Sequence, residues 1–138
     1  MTAPTPPPDD DALDELLGAA RAAADRAYVP YSSFRVGAAV LTADGTVVPG
    51  CNVENASYGL ACCAERTALF SAVASGHRDV VAVAVTCADG DVTRPDTLMP
   101  CGACRQVMAE LLPGDTPVVI DGVGRVTVDE LLPRAFRL

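Results

Sequence analysis

Residues 62–87 read CCAERTALFSAVASGHRDVVAVAVTC, and this stretch decides the architecture. Cys62 to Ser75 is a run of good helix formers, and Gly76 behind it is the residue type that most often closes a helix. Val80 to Cys87 is then an apolar run short enough for a buried strand. Working outward, the alternation continues on both sides. Upstream, Asp11 to Ala27 sets Leu13, Leu16, Leu17 and Ala20 at helical spacing behind an acidic start that suits the helix dipole. Phe34 to Leu41 and Thr46 to Val53 flank Ala43-Asp44-Gly45, a hairpin signal, and Asn55 to Leu60 reads as a loop. Downstream, Ala88 to Pro100 is rich in turn residues and Cys101 to Leu112 reads as a helix. Pro117 to Asp121 and Arg125 to Val128 read as strands before a short helix at Asp129 to Leu132. The sum is a five-stranded sheet covered by helices, an α/β sandwich. It is expected to form one domain over residues 11–138, with the Pro- and Asp-rich residues 1–10 as a disordered tail.

Composition narrows the function classes. The chain has 138 residues, half of them apolar, no Trp and few aromatics, so the core must be built from Ala, Val and Leu, whose small side chains permit close helix–sheet packing. A net charge of −8, with every basic residue an Arg, argues against binding nucleic acid through phosphate neutralisation. A small-molecule substrate fits better. No long apolar segment free of charge occurs, so no membrane span is expected. No apolar signal stretch precedes the first predicted helix, so the six cysteines are expected to be reduced, in cytoplasm.

Three of those cysteines stand in motifs: C-A-E at Cys63 to Glu65 and P-C-G-A-C at Pro100 to Cys104. Cys101 and Cys104, three apart at a predicted helix start, face one way and can grip one ion. A lone C-x-x-C is equally open to a redox dithiol or to buried packing thiols. With Cys63 added from a distant helix start, three thiolates fill three corners of a tetrahedron and leave the fourth for water, the pattern of a catalytic zinc site. Glu65 places a proton carrier beside that position. Three anionic thiolates blunt the acidity that zinc confers on water, and Arg66, together with the positive helix ends, is placed to offset them. Cys51, Cys62 and Cys87 read as packing residues.

The chain resembles the homotetrameric cytidine deaminases of pyrimidine salvage in YVPYSSFRVGAA (Tyr28 to Ala39), GCNVENASYG (Gly50 to Gly59), CAERTAL (Cys63 to Leu69), PCGACRQ (Pro100 to Gln106) and ELLPRAF (Glu130 to Phe136). The resemblance implies a three-layer α/β/α sandwich with a mixed five-stranded sheet. It implies one Zn2+ per subunit on Cys63, Cys101 and Cys104, with Arg66 behind the thiolates. It also implies hydrolysis of cytidine and 2′-deoxycytidine to the uracil nucleosides and ammonia. Glu65 then shuttles protons from water to N3 and to the leaving amine while zinc-bound hydroxide attacks C4. Asn52 and Glu54, alternating on one predicted strand so that they share a face, are assigned by the resemblance to the ribose 3′-hydroxyl. Phe34 would stack on the pyrimidine, and the Ala64 amide would meet the base carbonyl. Phe136 would close the pocket, and Tyr58 would stand near the subunit-shared pocket or pack at an interface. Gln106, read from its place in the helix, either braces the cysteine loop or is an exposed helix amide. A deaminase of another aminopyrimidine, a nucleotide deaminase and a non-catalytic zinc module are the rivals. No basic cluster or Gly-rich loop for a phosphate accompanies the motifs.

Overall fold

The computed structural model describes residues 6–138. The expected tail lies outside the described residues over 1–5, and its other end is shorter than expected. Asp9 accepts a hydrogen bond from Ala12 N at 2.8 Å, so helix α1 (Asp10–Ala24) already starts at Asp10. An Asp at the N-cap, with Asp10 and Asp11 in the first turn, satisfies orphan amides and the dipole together.

The chain continues through β1 (Val36–Thr42), β2 (Val47–Cys51), α2 (Ala64–Ala74), β3 (Val80–Cys87), α3 (Gly102–Leu111), β4 (Pro117–Ile120), β5 (Gly124–Thr127) and α4 (Val128–Leu131). Short 3₁₀ turns at Tyr58–Leu60 and Pro95–Leu98 interrupt two of the loops. The sheet order is β2-β1-β3-β4-β5. β3 and β4 are parallel, joined by the α3 crossover, and the other pairs are antiparallel. This is the expected mixed five-stranded sheet.

Strand alternation divides the core into two layers. Ala38, Val40, Val83, Val85, Val118 and Ile120 point to the face covered by α2, α3 and α4, where Ala68, Leu69, Met108 and Leu131 meet them. Ala39, Ala82 and Ala84 point the other way and receive Leu13, Leu16 and Ala20 of α1. Each fully buried Val, Leu or Met stabilises the fold by about 1.5–3 kcal/mol. The alanines contribute closeness instead. A Cβ on Gly37 of β1 would lie 2.0 Å from the Ala20 carbonyl oxygen, and one on Gly50 of β2 would lie 2.4 Å from Ala68 N and 2.8 Å from the Ala64 carbonyl oxygen. Helix backbone therefore rests directly on the sheet. At Gly50 this seats the opening turns of α2.

Three expectations need correcting. α1 stops at Ala24, not Ala27, because the amides of Asp25 and Arg26 tighten onto Ala22 and Ala23 and Tyr28 N bonds to the Asn52 carbonyl. α2 starts at Ala64, not Cys62, so Cys63 is its extended N-cap, at φ −72° and ψ 154°, and lies before the first turn. β2 ends at Cys51, so Asn52 and Glu54 lie beyond the strand and the alternation argument does not apply to them.

Candidate metal centre and active site

Two helices open at the same place. Cys63 caps α2 and Cys101 caps α3, neither with a side-chain cap hydrogen bond, so both thiols are free to turn toward each other. Cys104 follows on the first turn of α3 and is fully buried. Cys63 Sγ stands 3.6 Å from Cys101 Sγ, Cys101 Sγ stands 3.5 Å from Cys104 Sγ, and the three sulfurs lie within 4.8 Å of one another. Zinc–sulfur bonds of about 2.3 Å at tetrahedral angles would set sulfurs about 3.8 Å apart. The ring fits zinc in donor type, number and spacing.

The charges around the ring explain themselves. The neighbouring Cys104 thiol, with Arg66 and Cys101, holds the Cys63 thiol well below its ordinary range. Cys63 in turn, with burial, pushes Cys104 up. Arg66 Nη2 donates to Cys63 Sγ at 3.4 Å, and its pKa rises mainly through that bond. Arg66 Nε is buried without a hydrogen-bond partner among the described residues. A cation in the first turn of a helix opposes the dipole, and here the sulfurs supply the reason for it.

Glu65 is 4% exposed, and burial raises its carboxyl above the ordinary range. It lines a cavity of about 150 Å³ together with Cys63, Cys101, Ala64, Phe34 and Asn52. Val36, Val85, Cys87, Thr97, Leu98 and Met99 complete the wall. Cys87, expected as a packing residue, thus faces the cavity, and burial, followed by the charge of Glu65, pushes its thiol to about 11. Cys62 turns elsewhere, 3.6 Å from the Thr67 hydroxyl and 3.7 Å from the Cys63 carbonyl.

Asn52 and Glu54 part company. Asn52 Oδ1 accepts from Val36 N at 2.8 Å and its Nδ2 donates to the Phe34 carbonyl at 2.9 Å. Glu54 accepts from the amides of Tyr31 and Ser32 at 3.0 and 3.1 Å and from the Ser32 hydroxyl, and that hydroxyl is the main reason its pKa is lowered. Glu54 lies outside the sulfur-ringed cavity, in a second concavity with Tyr58. Tyr58 and Phe136 are 83% and 72% exposed and touch neither wall of the cavity within this chain. Gln106 does not brace the cysteine loop; its Nε2 donates to the Phe136 carbonyl at 2.9 Å. Arg105 does the bracing instead, from Nε to the Pro100 carbonyl at 2.8 Å and from Nη1 to the Leu131 carbonyl at 2.9 Å. Its signal was available, since it too is a cation near a helix start.

Three thiolates at two helix ends, with a buried carboxylate and an arginine behind them on an α/β/α sandwich, form the centre of a zinc-dependent nucleobase deaminase. Residues 11–120 match the family model described as the cytidine and deoxycytidylate deaminase zinc-binding region, and the chain belongs to that family. The cytidine deaminase of Halalkalibacterium halodurans is 57% identical over 88% of this chain and 91% of its own length. That of Mycobacterium tuberculosis is 48% identical over 95% and 93%. The crystal structure of cytidine deaminase from Burkholderia pseudomallei superposes with a TM-score of 0.80 at 51% identity, covering 89% of this chain and 98% of that one. The Mycobacterium tuberculosis structure gives 0.82 at 44%, covering 95% and 100%.

Proposed function

We propose that this protein is a cytidine deaminase that converts cytidine and 2′-deoxycytidine, with water, to uridine and 2′-deoxyuridine plus ammonia, in cytoplasmic pyrimidine salvage. The observation that carries this reading is the burial of Glu65 in the same cavity as the ring of Cys63, Cys101 and Cys104. Zinc on that ring supplies a Lewis acid that makes water a competent nucleophile near neutral pH. Glu65 takes one proton from the attacking water and passes it to N3 of the pyrimidine as the water oxygen bonds to C4. It then carries the second proton from that oxygen to the amine, which leaves C4 as ammonia while the C4 carbonyl forms.

Phe34 offers its ring to the pyrimidine face. Ala64 opens α2, so its N–H lacks an intrahelical acceptor and is available to the base carbonyl. Asn52 borders the cavity, which supports its assignment to the ribose 3′-hydroxyl; Glu54, in the neighbouring concavity, is assigned with it on the family resemblance. The net charge of −8 disfavours a phosphorylated substrate. We assign a homotetramer in which Tyr58 and Phe136 serve a shared pocket. Their exposure supports this, as does the apolar concavity of about 400 Å³ between α2 and α3, lined by Phe70, Val73, Val107 and Leu111.

The test is ultraviolet absorbance of zinc-loaded protein with cytidine, deoxycytidine and cytidine monophosphate, ammonia assayed in parallel. Light scattering gives the mass. Loss of the cytosine band with matching ammonia from both nucleosides, little from the nucleotide, is the expected result. No turnover of either nucleoside by fully zinc-loaded protein refutes the reading.

A further inference from the structure

Residues 34–36 lead into β1 and carry the aromatic wall of the cavity, yet they follow Ser33, whose φ of 57° is a conformation that non-glycine residues seldom adopt. Side chains from two other segments hold them in place. Asn52 grips the Phe34 carbonyl and the Val36 amide. Asp89 accepts from Arg35 N at 2.9 Å, Nε at 3.0 Å and Nη2 at 2.9 Å, and Ala88 N donates to the Arg35 carbonyl at 2.9 Å. Arg35 Nη1 lies 3.6 Å from Asp25, just past α1.

Phe34 and Val36 line the cavity, and Arg35 between them does not, as alternation along an extended segment requires. Asp89 stands two residues beyond Cys87, also in the wall, on the loop that returns over the cavity at Thr97, Leu98 and Met99. The pair therefore joins both walls from behind, without lining the cavity itself. Its side chains are 42% and 33% exposed, so it contributes little to global stability, while the bidentate fork fixes local geometry closely.

We propose that the Arg35–Asp89 pair is a positioning element of the reaction, holding Phe34 and the 88–99 loop in the arrangement that binds the nucleoside; this rests on the cytidine deaminase reading. In the full-length, zinc-loaded protein, Arg35→Ala and Asp89→Ala should each raise KM for cytidine about tenfold while kcat stays within about twofold. Zinc content should be unchanged, and the double variant should be no worse than either single one. KM within about twofold of wild type overturns the proposal. So do additive effects in the double variant, or a fall in kcat that follows loss of zinc. Hydrogen exchange at the amides of residues 34–36 and 88–90 reads the same order without turnover, and should quicken in both single variants. Unchanged exchange removes the positioning claim by itself, whereas a wild type that leaves cytidine intact removes the functional reading instead.

Discussion

Glu65→Gln is the substitution that separates catalysis from metal binding. Gln has the same shape, so the packing around a side chain that is 4% exposed is preserved, and the three sulfurs are untouched. What disappears is the capacity to accept and return a proton. The cavity is only about 150 Å³, and among the described residues no other carboxylate lines it, so no neighbour takes over the task. A positioned acid or base contributes about 10²–10⁴ to a rate, and Glu65 serves two transfers, to N3 and to the leaving amine. The expected loss in kcat is about three to five orders of magnitude, or about 4–7 kcal/mol in the barrier at 1.36 kcal/mol per decade. The assay is single-wavelength absorbance at saturating cytidine, with zinc titrated on the same preparation and binding of uridine followed by calorimetry. Zinc content and uridine affinity should match the wild type. A variant that keeps kcat within about tenfold would refute the role assigned to Glu65.

The close approach at Gly50 makes Gly50→Ala destabilising by about 1–3 kcal/mol, because the new methyl meets the backbone of Ala64 and Ala68, which cannot rotate away. An unchanged melting temperature would contradict that packing. Cys104→Ser should lose the zinc and all turnover, as should chelation of the wild type, and a colorimetric metal assay still finding one zinc per chain would sink the ligand assignment. Asp89 is held down to about 2, from an ordinary 3.8, chiefly by hydrogen bonding from the Arg35 side chain. A folded value below the unfolded one stabilises the protein above pH 3.8 and loses that contribution as pH falls through about 2. The small gap in melting temperature between wild type and Arg35→Ala should accordingly narrow between pH 4 and 2, and a gap independent of pH would exclude the carboxylate as its source.

What the sequence made legible were features with a local cause. Val80–Cys87 is a strand over the very residues expected, since an apolar run of that length between a helix-closing glycine and a turn has one compact solution. The sulfur ring was legible because ligand geometry demands helix starts and both motifs sit at one. The remainder depends on where side chains meet distant backbone. Nothing local tells that Asn52 leaves its strand to hold Phe34 and Val36, that Arg105 and not Gln106 reaches the Pro100 carbonyl, or that the thiol of Cys87 borders the reacting groups. Each is a tertiary contact between segments whose order in the sheet must be known first.

The double grip of Asn52 also limits how the pocket can be redesigned. An amide offers two hydrogens and two lone-pair sites, and one of each is committed to the backbone at Phe34 and Val36. Any substitution at position 52 meant to change sugar preference would release the aromatic wall at the same time, confounding selectivity with disorder. A library seeking altered nucleosides would do better to vary Thr97 and Met99. They border the same cavity, and neither side chain holds the backbone of the opposite wall.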